Sequence, residues 1–272
     1  MAIPRGPREI QRLLHQLRCA LPIVRDRPVR IPRGPLKDFR WLPRSGEFAC
    51  SAGTYEEATQ HLFLAHIKRG EVVYDLGAHR GYFSLLASRI VGEEGKVFAF
   101  EPLPENVRFI VAHAELNGCE NIFPRPYAIT RRAGSVTITN LADHLANTTR
   151  VESPRFSPQA PKLQVEARAL DELVGRGLPP PQFMKIDIEG SEYDALVGAR
   201  EILERNRPLL YVSVHENHLK GVEKQCLELL SETGYSLTLV DTSELTHGIR
   251  DYFAVPSKGS DRAHDPAPPL HG

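Results

Sequence analysis

The sequence predicts a doubly wound α/β fold, a mainly parallel sheet carrying helices on both faces. Two observations predict it. The first is an apolar run ending in an acid and a tight glycine turn, Val72-Val73-Tyr74-Asp75-Leu76-Gly77-Ala78-His79-Arg80-Gly81, answered twenty residues past Gly81 by a second run that ends in Glu101. This is the opening βαβ unit of a nucleoside-binding sheet. The second is the alternation, from there to Val255, of short β-branched or aromatic segments with stretches of helical period.

Taken in order, strands are expected at Glu71–Asp75, Lys96–Glu101, Asn121–Arg125, Phe183–Asp187, Leu209–His215, Tyr235–Val240 and Asp251–Val255. Helices fill the gaps. Pro104–Asn117 carries Val107, Ile110, Val111 and Ala114 on one stripe and stops at Gly118. Ser191-Glu192-Tyr193-Asp194 reads as a capping box opening a helix with Leu196, Ala199 and Leu203 inward. Leu219–Thr233 repeats the pattern with Val222, Cys226 and Leu230 before Gly234. Ligands of such sheets lie outside the carboxyl ends of the strands, where Asp75, Glu101, Asp187 and His215 fall.

The alternation is interrupted between Ala128 and Asp171. Ser135–Asn140 and Leu163–Ala169 read as strands, but the stretch between them has no period and contains Pro154, Pro158 and Pro161. A long connection inside a compact domain is a functional loop or disorder. Residues about 139–162 are therefore expected to form a lid-like insertion on the substrate side or a mobile hairpin, with Asp143 and His144 as lid candidates.

Length and composition bound the rest. A chain of 272 residues, 41% hydrophobic, can bury one sizeable core. The four cysteines, at 19, 50, 119 and 226, are neither paired nor clustered, so no disulfide framework or zinc site is expected and a reducing cytoplasm is the default. No apolar run approaches the ~18 residues of a membrane span, and His15, Gln16 and Arg18 interrupt the N-terminal leucines, so neither spanning nor secretion is expected.

The formal charge of +0 conceals an asymmetry: residues 1–44 hold eleven Lys/Arg against Glu9, Asp26 and Asp38, a basic arm on an acidic domain. Within the arm Ile10, Leu13, Leu14, Leu17 and Leu21 recur at helical spacing among Arg8, Arg12 and Arg18. Such a short amphipathic helix docks on its own domain or makes a weak contact with a membrane surface or partner. Pro22, Pro28, Pro32, Pro35 and Pro43 mark residues 22–44 as an extended connector. The expected division is an arm at 1–50, a catalytic domain at 51–256 and a disordered tail at 257–272.

The glycine turn narrows the cofactor. A dinucleotide site needs a middle glycine so that the backbone can close on a pyrophosphate, whereas Gly77 and Gly81 flank Ala78, His79 and Arg80. A ligand without phosphates fits better. S-adenosylmethionine is one, its ribose diol matched by Glu101 and its positive charges by Asp75.

The run Asp75-Leu76-Gly77-Ala78-His79-Arg80-Gly81-Tyr82-Phe83-Ser84, then Phe100-Glu101-Pro102, Asn117-Gly118, Tyr127-Ala128-Ile129 and Lys185-Ile186-Asp187-Ile188-Glu189-Gly190-Ser191-Glu192, in that order and spacing, resembles the FkbM family of S-adenosylmethionine-dependent methyltransferases. The resemblance runs from Gly53 to Val255, and the Lys185–Glu192 segment is its specific part. It implies a Rossmann-like class I methyltransferase with a seven-stranded, mainly parallel sheet, methylating hydroxyls of small metabolites, sugars, glycans or lipids.

Carried over by position, the resemblance puts Asp75, Gly77, Ala78 and Gly81 at the methionine end, with His79 in the same turn. Glu101 and Pro102 fall at the ribose and Tyr127 and Ala128 by the adenine. Asp187 lies near the transferring methyl, and Tyr55, from Gly53-Thr54-Tyr55-Glu56, covers the cofactor. Two positions depart: the family has Asn where His79 stands, and its fifth strand ends in Glu-x-His where this chain has Ser213-Val214-His215. The expected chemistry is O-methylation, with Asp187 orienting the acceptor and His215 taking its proton. Glu189 is expected to stabilise the helix N-terminus at Ser191.

Other readings stay open. A divalent ion on Asp187 and neighbouring acids would lower the acceptor's pKa, but no complete ligand set is readable, so no metal site is assigned. The basic arm could serve a nucleic-acid or N-directed methyltransferase, although the Asn/Asp-Pro-Pro-Tyr/Phe motif is absent. A dehydrogenase or a nucleotide-binding module without methyl transfer would share the sheet. Nothing in the sequence sets the oligomeric state.

Overall fold

The structure, a computed structural model, describes residues 27–46, 48–139, 162–240 and 248–257. The amphipathic helix expected around residues 10–21, most of the lid-like insertion with Asp143 and His144, and the tail beyond Ser257 lie outside them. Among the described residues no helix is long and apolar enough to cross a membrane.

The described chain opens with a hairpin, β1 (Val29–Arg30) antiparallel to β2 (Arg40–Trp41). This segment was expected to be an extended connector. Instead Ile31, Leu36 and Trp41 are completely buried, in one cluster with Val73, Phe83 and Ile110. The prolines mask three large apolar side chains that have a core to join, so the packed unit begins well before residue 51. Trp41 stacks on His113, ring centroids 3.8 Å apart. The Leu42 N–H donates to His113 Nε2 at 3.2 Å and Nδ1 bonds the Arg80 carbonyl at 2.8 Å, so both ring nitrogens of this buried histidine are used. Burial, against the Arg80 carbonyl bond, pushes its pKa down to about 4.

Two helices, α1 (Phe48–Ala52) and α2 (Glu57–His66), lead into the alternating part. It runs β3 (Val72–Leu76), α3 (Tyr82–Val91), β4 (Lys96–Phe100), α4 (Pro104–Asn117), β5 (Ile122–Arg125), β6 (Ala128–Ile129), β7 (Gly134–Thr139) and β8 (Lys162–Arg168). There follow α5 (Leu170–Gly175), β9 (Phe183–Ile186), α6 (Glu192–Val197), α7 (Arg200–Arg205), β10 (Leu209–His215), α8 (Val222–Glu232), β11 (Tyr235–Leu239) and β12 (Ile249–Pro256).

The seven expected strands form one sheet, ordered β11-β12-β10-β9-β3-β4-β5. Neighbours from β10 to β5 are parallel, and β12 alone runs against both of its neighbours. Alternate residues feed two cores: Tyr74, Leu76, Phe98 and Phe100 join the cluster holding Leu196, Leu203 and Val222, while Val73, Val97 and Ala99 join Leu85, Leu86 and Ile110 on the other face. Burial on both faces is what a parallel sheet sandwiched by helices requires. The chain winds outward from β3 to β5 and returns on the other side of β3 as β9, opening a crevice beyond the carboxyl ends of β3 and β9.

The two strands expected in the interruption are β7 and β8, paired antiparallel, with β6 parallel to β8. Ile138, Val165, Ala128 and Leu103 make a small cluster of their own beside the crevice.

Two helix expectations need correction. On α4 the buried face is Asn106, Phe109, Ile110, His113 and Ala114, whereas Val111 is 39% exposed; Asn106 and His113 turn inward because Arg80 bonds both. The capping box does not form. Ser191 makes no side-chain capping bond, the Glu192 carboxylate accepts the Gly190 N–H at 2.9 Å, and Asp194 pairs with Arg131. Leu196, Ala199 and Leu203 are nonetheless fully buried as expected.

Candidate active site

The crevice encloses about 1140 Å³. Its floor is the turn after β3. The Gly77 and Ala78 N–H groups both donate to the Phe100 carbonyl, at 3.0 and 3.1 Å, which ties this turn to the end of β4. Gly77 has φ +76°. His79 also sits in the left-handed region, φ 51°, where Asn, Asp and His are the tolerated non-glycine residues, so a histidine can stand where the family has asparagine. Its N–H donates to Glu101 Oε2 at 2.9 Å.

Gly81 departs from its expected place: it lies outside the crevice lining, is left-handed at the N-terminus of α3, and its missing side chain leaves room for Ile110. Its role is conformational. Tyr55, Asp75, Gly77, Ala78, His79, Glu101, Pro102, Tyr127, Ala128 and Asp187 all line the crevice as expected.

Glu101 is 5% exposed, and each carboxylate oxygen accepts one backbone N–H, Oε2 from His79 and Oε1 from Leu103 at 2.9 Å. A carboxylate offers about four lone-pair sites, so each oxygen keeps capacity for a further hydroxyl donor. Burial pushes its pKa up to about 7 against the pull of those bonds and of Asn106. Asp75 is completely buried; Oδ2 accepts the Ser84 hydroxyl at 2.6 Å, and Oδ1 has no partner. Burial raises its pKa, opposed by Lys185 and Ser84. An orphaned buried acceptor is costly unless a ligand uses it. These two acids, with Tyr127, Ala128, Pro102 and Phe100 as apolar wall, fit S-adenosylmethionine: Glu101 for the ribose, Asp75 for the cationic methionine end.

Sequence reasoning missed Lys185. It is 2% exposed inside β9, its Nζ 2.7 Å from Asp187 Oδ2 and over the Phe83 ring. Burial would lower its pKa, but Asp187, Asp75 and Glu56 outweigh burial and raise it. A lone lysine within the apolar run Phe183-Met184-Lys185-Ile186 was the available signal. For Asp187 burial pushes the pKa up, yet Lys185 and then His215 bring it below the ordinary carboxylate value. The Asp187 side chain remains 24% exposed to the crevice.

His215, at the end of β10, is 2% exposed and does not line the crevice. Its Nδ1 faces two acceptors, Glu192 Oε1 at 2.8 Å and the Ser213 carbonyl at 3.2 Å, so Nδ1 carries a hydrogen. Nε2 stands 3.6 Å from Asp187 Oδ1 and 3.5 Å from Glu189 Oε2. Burial would lower its pKa, but Glu192, Glu189 and Asp187 override burial and push it up to about 10. His215 thus stands behind the crevice wall, its Nε2 turned to Asp187 and Glu189 rather than to the space an acceptor would fill, which its place at the end of the strand did not reveal. The sequence shows His215 as a strand-end histidine; the three carboxylates meet it only through the loop after β9. Glu189 Oε2 lies 3.0 Å from His218 Nε2.

Comparison with known proteins identifies the family. Residues 75–255 match the Methyltransferase FkbM domain. The chain is 26% identical over 183 residues to the hexuronic acid methyltransferase AglP of Haloferax volcanii, covering 66% of this chain and 70% of that protein. It is 24% identical over 210 residues to the methyltransferase sdnD of Sordaria araneosa, 66% of this chain and 80% of that one. Among solved structures, an FkbM methyltransferase from Methylobacillus flagellatus superposes with a TM-score of 0.47 at 18% identity, over 76% of this chain and 53% of that one. With well over half of its residues inside the matched domain, the chain belongs to the FkbM family of methyltransferases, whose methyl donor is S-adenosylmethionine.

Proposed function

We propose that this enzyme methylates a hydroxyl oxygen of a sugar, glycan, lipid or other small metabolite. The observation that carries the reading is the division of the crevice. Asp75 and Glu101 line the cofactor half, and Asp187 and Glu189, each partly exposed, line the other. Carboxylates accept hydrogen bonds and suit an acceptor rich in hydroxyl donors. The hexuronic acid named for the Haloferax volcanii relative is such a molecule.

Bound in the first half, S-adenosylmethionine supplies an electrophilic methyl group on a sulfonium. The chain's own residues supply position: orientation of well-placed reactants is worth up to ~7–11 kcal/mol. Asp187, fixed by Lys185 on one side, accepts the hydrogen bond of the acceptor hydroxyl and aims its oxygen. As the O–C bond forms and the sulfonium's S–C bond breaks to leave S-adenosylhomocysteine, the proton would pass from that oxygen to the Asp187 carboxylate and on to water.

The test is a panel of hexuronic acids, neutral sugars and hydroxylated lipids with isotopically labelled methyl donor. Label appearing as a methyl ether in the product's carbon NMR supports the reading, and label on nitrogen or carbon overturns it.

A further inference from the structure

We infer that Asp187, Glu189 and His215 form a binding site for one divalent metal ion on the acceptor side of the crevice. One ligand atom from each, two carboxylate oxygens and an imidazole nitrogen, lies within 4.8 Å of the others. The sequence puts Asp187 and His215 at one edge of the sheet; Glu189 joins them through the loop that leaves β9, beside the end of β10.

The histidine decides the matter. Its Nδ1 hydrogen is committed to Oε1 of the completely buried Glu192, an oxygen that also accepts the Gly190 N–H, and to the Ser213 carbonyl. A buried carboxylate holding one ring nitrogen so that the other faces a cation is the common outer shell of a metal-ligating histidine. The Nε2 that remains points at two carboxylate oxygens 3.5 and 3.6 Å away, longer than a good hydrogen bond. A ring nitrogen and two carboxylate oxygens thus converge on one point, where the positive charge is either the second proton of the imidazole or a bound cation that displaces it. Ligands bound at ~2.1–2.3 Å to one cation stand about 3.0–3.7 Å apart in octahedral or tetrahedral geometry, which matches these separations.

The other carboxylate contacts fit as well. Asp187 Oδ2 is held by Lys185 Nζ at 2.7 Å, leaving Oδ1 for the site, whereas Glu189 Oε2 is shared between the site and His218 Nε2 at 3.0 Å. Glu189 and Gly190 are both left-handed, φ 56° and 96°, and a side chain on Gly190 would meet His218 Cβ at 2.9 Å. This tight turn aims Glu189 back into the crevice. Carboxylates and one imidazole suit Mn²⁺ or Mg²⁺, and Asp187 and Glu189 are open enough to the crevice for water or an acceptor oxygen to complete the coordination shell. If the acceptor is an alcohol, as proposed above, the cation would lower the pKa of its hydroxyl.

The test uses the full chain, stripped with chelator, and Mn²⁺ alone. Titration followed by the six-line electron paramagnetic resonance signal of free Mn²⁺ should show one saturable site per chain. Glu189→Gln and Asp187→Asn should each weaken it by tenfold or more with the melting profile retained, while the exposed Glu204→Gln leaves it unchanged. Spin-echo modulation from a histidine nitrogen should be present in the wild type and lost in His215→Gln. Absence of saturable binding, or wild-type affinity in either carboxylate variant, overturns the site. Transfer to oxygen by a protein that binds no Mn²⁺ overturns this site and leaves the proposed reaction standing; a Mn²⁺ site with label on nitrogen does the reverse.

Discussion

A side chain on Gly77 would place its Cβ 1.9 Å from the carbonyl oxygen of Asp187. The turn that carries the cofactor acids and the strand end that carries the acceptor acid are therefore in backbone contact, closed further by the Asp187 N–H donating to the Leu76 carbonyl at 3.1 Å. Only glycine permits this approach, and only glycine adopts φ +76° there without strain. Gly77→Ala should cost more than the ~1–2 kcal/mol of a left-handed alanine alone, because the strand ends must also part. Calorimetry should show S-adenosylmethionine binding lost and melting lowered; unchanged affinity would mean that the two ends need not touch.

Glu101 links pH to two opposite effects. Its pKa is pushed from 4.5 to about 7, so the stability it contributes is fully present below about 4.5 and lost as pH rises through about 7. The cofactor-free protein should melt higher near pH 5 than near pH 8 by this group, and Glu101→Gln should flatten that difference. Cofactor affinity runs the other way, since the ionised carboxylate is the better acceptor for two hydroxyls at ~1.5–3 kcal/mol each. Binding should weaken as pH falls from 8 to 6. In Glu101→Gln it should be tenfold or more weaker at pH 8 with no such slope, and a variant that binds as the wild type does would remove the ribose assignment.

The strand-end acids were legible because Asp75, Glu101 and Asp187 each close a short apolar run, a pattern that needs no knowledge of distant neighbours. The seven strands were legible for the same reason. What failed depended on partners far along the chain. Trp41 and Ile31 are hidden among prolines, and only the face of α4 and the β3 side of the sheet make them core. Asp194 has the spacing of a capping-box partner for Ser191, but Arg131, 63 residues earlier, takes its carboxylate. The protonation of His215 could not be read from Ser213-Val214-His215, since its charge is set by residues 187, 189 and 192.

The docked hairpin gives a simple stability test. Trp41 is 1% exposed, stacks on His113 and meets Tyr82 edge-on at 5.8 Å. Truncating a buried tryptophan costs about 3–5 kcal/mol, so Trp41→Ala should lower the melting temperature markedly and Trp41→Phe less. A hairpin that merely lay against the domain would leave both variants melting like the wild type.

Lys185 is the charge on which the acids depend. It is the strongest counter-charge for both Asp75 and Asp187, and it lies 2.7 Å from the latter. Removing one partner of a buried pair leaves an uncompensated charge, typically ~3–5 kcal/mol, so Lys185→Ala should be strongly destabilised at pH 8. Without the ammonium, Asp75, already raised by burial, rises further, and Asp187 loses the strongest of the charges that hold it down. Groups raised in the folded state contribute stability that is present at low pH and lost as pH rises, so the deficit of the variant should shrink at pH 5. Replacing both members, Lys185→Met with Asp187→Asn, should recover much of the loss at pH 8 while leaving turnover low, because the neutral amide cannot take the acceptor's proton. Melting curves at the two pH values decide the matter: a Lys185→Ala deficit that is the same at both would show that Lys185 does not hold these carboxylates ionised.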